Sequence, residues 1–269
     1  MRIVLVGVGK MGEAVLAGIV SARGPQDVLV VNRRRERDEE LRERYGVTPA
    51  ALDEAAARAD VVVLAVKPKD ITGQLDAMRE SLRPEAVVVS LAAGLPLEVM
   101  QRHLAEGQPV VRVMPNTPSL VGQGMSAVSA GQGVSKEQLE LVTDLMITCG
   151  EVVVVPESQQ DAVTAVSGSG PAYLFAVAEA MAEAGVQLGL PREVATRLAN
   201  QTIKGAGVML VESGTHPSIL RENVTSPGGT TAQALKVLDE RAVRAAFSAA
   251  MTACHDTSAA MARAQLEQD

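Results

Sequence analysis

Aromatic residues are almost absent from this chain, which has two Phe, two Tyr and no Trp among 269 residues. Nucleic-acid surfaces use aromatic side chains to stack bases, and they concentrate Lys and Arg. Here 25 Lys and Arg stand against 32 Asp and Glu, which gives a formal net charge of −7. We therefore predict no nucleic-acid partner.

Cysteine and histidine are also scarce. Cys149 and Cys254 lie far apart in apolar surroundings, which suits small core residues in a reducing compartment better than a disulfide framework. The three histidines, His103, His216 and His255, show no metal-ligand spacing. We therefore expect no metal site.

No segment has the pattern of a membrane span or a targeting signal. The longest apolar region, residues 172–190, carries Glu179, Glu183 and Gln187 at helical spacing, which predicts an amphipathic helix. Met1 leads directly into an apolar strand pattern, without a basic stretch and a cleavable apolar segment. We expect no membrane partner, no signal peptide and a cytoplasmic location.

The chain changes character near Pro156. Before it, short β-branched runs alternate with helical patterns, as in a parallel sheet covered by helices on both faces. The predicted strands are Ile3–Val6, Val28–Val31, Val61–Val66, Val87–Leu91, Val110–Met114, Met125–Ser129 and Val152–Val155. After it strand patterns stop, and Pro171 and Pro191 each begin a helical pattern. We predict an α/β protein with a doubly wound Rossmann domain, residues 1–156, followed by an all-α dimerisation domain, residues 157–269.

The predicted helices after Pro156 are rich in Ala and have apolar faces wider than a small domain can cover. Leu174, Met181 and Leu188 share one such face, and Phe247 and Met261 lie near another. Faces of this kind indicate burial against a second subunit, so we predict a homodimer built mainly from residues 157–269. The alternative is a self-contained helical bundle packed on the sheet domain.

The amino end has a strand, a glycine turn and a helix in the order that a dinucleotide site requires. Gly7 permits the tight turn, Gly9 lets the backbone approach a pyrophosphate, and Gly12 lets the helix lie close to the strand. The predicted cofactor-binding residues here are Gly7, Val8, Gly9, Lys10, Met11 and Gly12. A glycine-rich turn in some other α/β domain is the alternative.

The second strand ends without the carboxylate that would bind free ribose hydroxyls about 20 residues after the glycine turn. Asn32, Arg33 and Arg34 stand there instead. Guanidinium groups pair well with a phosphate dianion, so we predict a 2′-phosphate pocket and NADPH as the preferred cofactor, with NADH as the weaker one. Alternatively, these arginines begin a solvated helix, because Arg37 and Arg44 with neighbouring acids form a mixed charged surface.

Ligands of such sheets lie beyond the carboxyl ends of the strands. The segments at the ends of the third, fourth and fifth predicted strands are small, rigid or hydrogen-bonding. We predict that they line the cofactor through Ala65, Val66, Lys67, Pro68, Ala92, Ala93, Gly94 and Asn116.

A second motif, residues 223–231, combines a backbone bend, several hydroxyls and a helix start. Pro227 lacks a backbone donor, the two following glycines admit positive φ, and Thr230 or Thr231 begins a helical pattern. Free N–H groups at a helix start suit the carboxylate or phosphate of a small substrate. An ordinary capped loop between two helices is the alternative.

NADPH implies hydride transfer to an acceptor that the protein orients. The second motif offers hydroxyls rather than His, Lys or a carboxylate, so a protonated imine fits better than a ketone. Two alternatives are another NADPH-dependent imine or β-hydroxyacid reductase, and a non-catalytic regulator that senses dinucleotides.

Five motifs together resemble those of pyrroline-5-carboxylate reductases, and the resemblance covers essentially the whole chain. They are GVGKMG at residues 7–12, AVKP at 65–68, MPNTP at 114–118, SGSGPAY at 167–173 and VTSPGGTT at 224–231. The resemblance implies reduction of L-1-pyrroline-5-carboxylate to L-proline by NAD(P)H, the last step of proline synthesis. It also implies a helical domain that interlocks two subunits, with dimers that often assemble into a decamer.

The resemblance further implies a substrate site at the dimer interface, near residues 223–231. By position, Thr231 would be the catalytic residue that hydrogen-bonds the ring nitrogen. The other implied substrate-binding residues are Ser226 with the backbone around Gly228, Gly229 and Thr230, for the carboxylate, and Asn223 and Val224, which would line the pocket. From the residues alone, Thr231 could instead bond to its own helix.

Overall fold

The computed structural model describes residues 1–268. The chain divides into two compact units, here called the sheet unit and the helical unit. The sheet unit contains residues 1–169 and the chain from Cys254 onward, and the helical unit contains Gly170–Ala253. The domain bounds 1–156 and 157–269 stay a prediction.

The sheet unit contains one eight-stranded sheet with the order β3-β2-β1-β4-β5-β6-β7-β8. Its first six strands have the 3-2-1-4-5-6 order of a doubly wound Rossmann domain, as expected. The strands are β1 Ile3–Val6, β2 Val28–Val31, β3 Thr48–Pro49, β4 Val61–Leu64, β5 Val87–Ser90, β6 Val110–Met114, β7 Gly124–Ala130 and β8 Gly150–Val154.

The sheet is not parallel throughout, which corrects the expectation for its last two strands. β7 pairs antiparallel with β6, so that Val111 lies opposite Ala130, and β8 then runs parallel to β7. Residues 115–123 connect β6 to β7 with one short 3₁₀ helix, Thr117–Val121. A parallel connection needs a dozen or more residues, so this link is too short for one.

Helices cover both faces of the sheet. Leu5 packs with Ile19 on one face, while Val62 packs with Leu75 on the other. The helices that precede residue 170 are α1 Lys10–Arg23, α2 Arg35–Tyr45, α3 Leu52–Ala56, α4 Pro68–Met78, α5 Leu97–Arg102, α6 Lys136–Ile147 and α7 Gln160–Val163, followed by a π-helical turn at Thr164–Gly168. Alternate strand residues point to opposite faces, and this explains why β1 and β4, in the middle of the sheet, are apolar and buried at every position.

The helical unit has no strand, in agreement with the sequence pattern. Its helices are α8 Gly170–Gln187, α9 Arg192–Glu212, α10 Pro217–Asn223, α11 Thr230–Glu240 and the first part of α12 Val243–Gln268. Ala242 has a φ of +54°, and it separates α11 from α12. In the described part of the chain, no helix is both long and apolar enough to cross a membrane.

The last turns of α12 belong to the sheet unit. Ser258 Oγ donates a hydrogen bond of 2.7 Å to Asp161 Oδ1. Further along, Leu266 packs against the core that surrounds Leu75. These contacts anchor this part of α12 to the sheet unit, although the sequence predicted the stretch only as part of the helical domain.

Candidate functional site

A cleft of about 1220 Å³ opens at the carboxyl ends of β1, β2, β4 and β5, and we call it the glycine-loop cleft. All of the residues that line it lie in the sheet unit. The predicted cofactor residues that it brings together are Gly7, Gly9, Lys10, Met11, Asn32, Arg33, Arg34, Ala65, Val66, Lys67, Pro68, Ala92 and Ala93. Its position outside the strand ends is where open α/β sheets bind their ligands.

The three glycines of the turn differ in their surroundings. Gly7 has a φ of +75°, a left-handed conformation that glycine adopts without strain. A β-carbon built on Gly12 would lie 2.8 Å from Ala65 Cβ, so α1 packs directly on the residue that follows β4. A β-carbon on Gly9 would meet no atom within 4 Å. Gly9 therefore leaves open space where a ligand can approach the backbone.

Helix α1 begins at the edge of this open space. Its N-cap residue, Gly9, has an extended backbone and provides no side-chain hydrogen bond. The first N–H groups of a helix have no partner within the helix, and the helix dipole adds positive potential there. The amino end of α1 therefore suits an anion such as a pyrophosphate.

Two side chains that follow β2 in the sequence form hydrogen bonds to the backbone of Val8 in the glycine turn. Asn32 Oδ1 accepts a 2.7 Å hydrogen bond from the Val8 N–H, and Arg37 Nε donates a 3.0 Å bond to the Val8 carbonyl. Asn32 Nδ2 also donates to Asp38 Oδ1 at 2.8 Å. Thus the side chain of Asn32 supports the turn, even though the residue lines the cleft.

Four cations surround the cleft without partners. Lys10, Arg33, Arg34 and Lys67 are exposed, and within residues 1–268 their side chains form no ion pair or hydrogen bond. Unpaired cations at an uncapped helix start can bind several phosphate groups at once. Of these, Arg33 and Arg34 follow β2, where a ribose 2′-phosphate would lie.

Lys69 and Gln74 also line the cleft, and sequence reasoning missed them. Both belong to α4, which begins at Pro68. The signal for this helix was present, because Pro favours the first position of a helix. Residues one turn apart on α4, such as Asp70 and Gln74, then share a face.

Four predicted cofactor residues lie outside the lining of the cleft. Val8 and Gly12 are buried behind the turn. Gly94, with a φ of +69°, lies close to Met261 of α12. The amide of Asn116 serves the backbone, since its Oδ1 accepts from the Met125 N–H at 2.9 Å and its Nδ2 donates to the Ser167 carbonyl at 3.0 Å.

A charged cluster lies behind the turn, where the sequence predicted only a mixed charged surface. Glu13 of α1 pairs with Arg37 and Arg44 of α2, and the Tyr45 hydroxyl donates to Glu13 Oε1 at 2.9 Å. Burial raises the pKa of Glu13, but the hydrogen bonds from Arg37, Tyr45 and Arg44 outweigh it and hold the pKa below its ordinary value. Glu13 is therefore ionised at neutral pH and fixes Arg37.

The second motif, residues 223–231, lies in the helical unit, and we call it the hydroxyl loop. The Gly229 N–H donates to the Ser226 carbonyl at 3.0 Å and closes a turn with Pro227 and Gly228 at its centre. Gly228 has a φ of +69°. Gly229 then caps α11 without a side-chain hydrogen bond. The loop therefore presents a helix start with free N–H groups, as predicted.

Thr230 and Thr231 are the first two residues of α11. Thr231 is half-buried, and within the described residues the hydroxyls of Ser226, Thr230 and Thr231 form no hydrogen bond. Thr225 differs, because its Oγ1 donates to the Arg221 carbonyl at 2.6 Å. The alternative in which Thr231 bonds to its own helix is not observed, and its hydroxyl can bind a ligand.

The rest of the loop is open. Asn223, Val224 and Ser226 are exposed at the end of α10 and the start of the turn. Among residues 1–268, no group of three or more His, Cys, Asp or Glu side chains could hold a metal ion. The hydroxyl loop itself offers helix-start N–H groups and hydroxyls.

Comparison with known proteins agrees with this chemistry. Residues 157–261 match the family model for pyrroline-5-carboxylate reductase dimerisation, and residues 2–94 match that for coenzyme F420-dependent NADP oxidoreductases. A pyrroline-5-carboxylate reductase of Corynebacterium melassecola is 50% identical over 265 residues, which cover 95% of this chain and 97% of that protein.

Solved structures are similar over the same extent. A pyrroline-5-carboxylate reductase of Coxiella burnetii, 37% identical, superposes with a TM-score of 0.92 over 97% of this chain and 98% of that one. A pyrroline carboxylate reductase of Plasmodium falciparum, solved with NADP bound, is 29% identical and has a TM-score of 0.86 over the same shares. The protein described here is thus a member of the pyrroline-5-carboxylate reductase family.

Proposed function

We propose that this protein reduces L-1-pyrroline-5-carboxylate to L-proline, the final step of proline synthesis, with NADPH as its preferred hydride donor and NADH as a weaker one. The observation that carries the proposal is the 50% identity to a pyrroline-5-carboxylate reductase over 95% of the chain. The family matches at residues 2–94 and 157–261 include the glycine turn and the hydroxyl loop.

The glycine-loop cleft has the features that a nicotinamide dinucleotide requires. The space in front of Gly9 is open, and α1 begins there without a side-chain cap. When bound, the nicotinamide supplies the hydride. The residues of this chain then hold and orient the cofactor, with the N–H groups at the start of α1 on the pyrophosphate and Arg33 and Arg34 on the 2′-phosphate.

The remaining predicted cofactor residues have supporting roles in this proposal. Residues 65–68, Ala92 and Ala93, which line the cleft, would line the cofactor at the ends of β4 and β5. Val8, Gly12, Gly94 and Asn116 lie outside that lining and would belong to the backbone framework around it. Asn32 acts on the cofactor through the turn, because its amide bonds to Val8 and Asp38.

The hydroxyl loop is the substrate site that we propose. Ser226 and the backbone of Gly228, Gly229 and Thr230 would bind the carboxylate, because an uncapped helix start attracts an anion. Thr231 would hydrogen-bond the ring nitrogen and orient the C=N bond, while Asn223 and Val224 line the pocket. Within residues 1–268 the hydroxyls of Ser226 and Thr231 form no hydrogen bond, which supports these roles.

The activity is tested by following NADPH oxidation by the purified protein with L-1-pyrroline-5-carboxylate, and L-proline is identified as the product. A six-membered cyclic imine carboxylate serves as the comparison substrate. We expect faster turnover of the five-membered ring. A rate no higher than that without substrate would refute the proposed function.

The family model makes the chain a homo-oligomer through its dimerisation region. The helical unit exposes large apolar side chains, among them Phe175, Leu188 and Val211, which are 66%, 86% and 80% exposed. We propose a homodimer built mainly from residues 157–269, with dimers assembling further into a decamer. Light scattering after size-exclusion chromatography would give twice or ten times the 28.1 kDa of the chain.

We also retain the domain bounds 1–156 and 157–269, which the start of the dimerisation match at residue 157 supports.

We propose a cytoplasmic location, in keeping with the two free cysteines, Cys149 and Cys254. Fractionation of the source cells with an antibody against the chain would test the location.

A further inference from the structure

We infer that Arg37 is a positioning residue for the dinucleotide, which holds the glycine turn in its binding shape and does not touch the cofactor. The inference rests on the proposed function, because it concerns the cofactor of that reaction. It separates Arg37 from Arg33 and Arg34, although the three lie within five residues of one another.

The turn is held at a single residue from both sides. The Val8 N–H donates to Asn32 Oδ1, and the Val8 carbonyl accepts from Arg37 Nε. Val8 itself is only 2% exposed. A buried peptide group that loses its partner is destabilised, so these two side chains stabilise the turn in addition to the backbone bonds at Gly7 and Gly9.

Each of the three nitrogens of Arg37 already has a protein partner, and Arg37 does not line the glycine-loop cleft. Nε donates to the Val8 carbonyl, Nη1 donates to Glu40 Oε2 at 3.0 Å, and Nη2 donates to Glu13. Its side chain is 16% exposed. Arg33 and Arg34, by contrast, are exposed and form no such bonds within the described chain. A planar guanidinium that is engaged at all three nitrogens acts as a fixed brace rather than as a phosphate ligand.

This arrangement predicts a particular pattern of cofactor affinity. The pyrophosphate, which the glycine turn binds, is common to NADPH and NADH. Only NADPH carries the 2′-phosphate. Loss of Arg37 should therefore weaken both cofactors by the same factor, whereas loss of Arg33 and Arg34 should weaken NADPH selectively.

The test measures the Kd of the full-length protein for NADPH and for NADH by cofactor fluorescence. We expect Arg37→Met to raise both Kd values roughly tenfold, as for the loss of one charged hydrogen bond, with their ratio unchanged within about twofold. The kcat at saturating NADPH should stay within about threefold of the parent value, because the turn acts on cofactor binding. Unaltered Kd values for both cofactors would overturn the inference, and so would a loss confined to NADPH.

Arg42→Met is the matched control. Arg42 is on the same helix, and its only ion pair within the described chain is with the exposed Glu39 at 2.6 Å. We expect parental Kd values for this variant. A Kd reports only on folded protein. If Arg37 served only the stability of the fold, Arg37→Met would lower the fraction of active protein and leave both Kd values unchanged.

Arg37→Lys tests the contact itself. Lysine can pair with Glu13 but cannot also donate to Val8 through a fixed fork, so we expect Kd values close to those of Arg37→Met. Full rescue by lysine would overturn the assignment to the Val8 hydrogen bond. If the parent protein binds NADPH and Arg37→Met binds it equally well, only this inference fails. If the parent protein binds neither cofactor, the proposed function fails as well.

Discussion

Gly7 and Val66 meet where the chain leaves β1 and β4, and a β-carbon on Gly7 would overlap Val66 Cγ1. The two strands are parallel neighbours, with Val6 opposite Leu64. The residues just beyond them are therefore forced together at the floor of the glycine-loop cleft. Only a hydrogen atom fits there, and the φ of +75° at Gly7 adds a second reason for glycine.

This contact predicts different outcomes for alanine at two glycines of the turn. Gly7→Ala adds overlap and left-handed strain, so we expect it to lower the free energy of unfolding by about 2–4 kcal/mol and to weaken NADPH binding. At Gly9 an alanine side chain would point into open space, and the extended backbone there suits alanine. Gly9→Ala should keep parental stability and weaken only NADPH binding. Urea unfolding and cofactor titration separate the two, and a stable Gly7→Ala variant would contradict the steric argument.

The cofactor preference depends on Arg33 and Arg34. Replacing both with glutamate puts negative charge where the 2′-phosphate is expected, so we predict a rise of roughly 100-fold in the KM for NADPH. The KM for NADH should change by no more than about threefold, because NADH lacks the phosphate. Steady-state kinetics with each cofactor measures both values.

Arg35→Glu is the control for that charge reversal. Arg35 is exposed and begins α2, but it does not line the cleft. We expect little change in either KM. An equal loss for both cofactors in the double variant would point to general damage to the fold instead of phosphate recognition.

The catalytic role of Thr231 can be tested through its hydroxyl. If the hydroxyl hydrogen-bonds the ring nitrogen, Thr231→Ala should lower kcat/KM by roughly 10²–10⁴, or about 3–5 kcal/mol of transition-state stabilisation. Thr231→Ser keeps the hydroxyl and should recover most of the activity. A change of only a few fold in the alanine variant would leave Thr231 with a structural role.

Local patterns predicted much of the sheet unit. β1, β2 and β6 have the bounds that their β-branched runs indicated, and the glycine turn follows β1 as expected. Strands and turns depend on residues that are close in sequence, so they can be predicted from a single sequence. The cleft formed by strand ends was predictable for the same reason, since parallel order brings those ends to one edge.

The unpredicted features depend on residues that are distant in sequence. Arg37 bonds to Val8 and Glu13, which are 29 and 24 positions away. The sequence around Arg37 resembles any charged helix face, so it does not indicate these partners. The Asn116 amide bonds to Met125 and to Ser167, which is 51 positions away, and the sequence does not indicate these bonds. The reversal of β7 follows from connection length rather than from strand composition. For Arg37 and Asn116, packing decides which partner the polar group finds.

The carboxyl end of α12 should stabilise the sheet unit through Ser258. This residue is 6% exposed, and its hydroxyl donates to Asp161. Ser258→Ala removes a partly buried hydrogen bond to a carboxylate, so we expect a loss of about 1–3 kcal/mol in the free energy of unfolding. Ser248→Ala, an exposed position on the same helix, should have parental stability. Urea unfolding at one fixed protein concentration compares them, and equal midpoints would show that the Asp161 contact contributes nothing.

Acid stability should depend on Glu13. Its pKa lies below the ordinary value of 4.5, because hydrogen bonds from Arg37, Tyr45 and Arg44 outweigh the effect of burial. The unfolded chain therefore binds a proton at higher pH than the folded one. The stabilisation is fully present above about pH 4.5 and is lost as the pH falls through the folded pKa.

Glu13→Gln should thus be less stable than the parent at neutral pH, and the difference should shrink as the pH falls below 4.5. Urea unfolding over this pH range measures the difference directly. Glu43→Gln is the control, since Glu43 is exposed on α2 and forms no ion pair among the described residues. A Glu13→Gln penalty that stays constant down to acid pH would mean that packing, rather than the ionised carboxylate, joins α1 to α2.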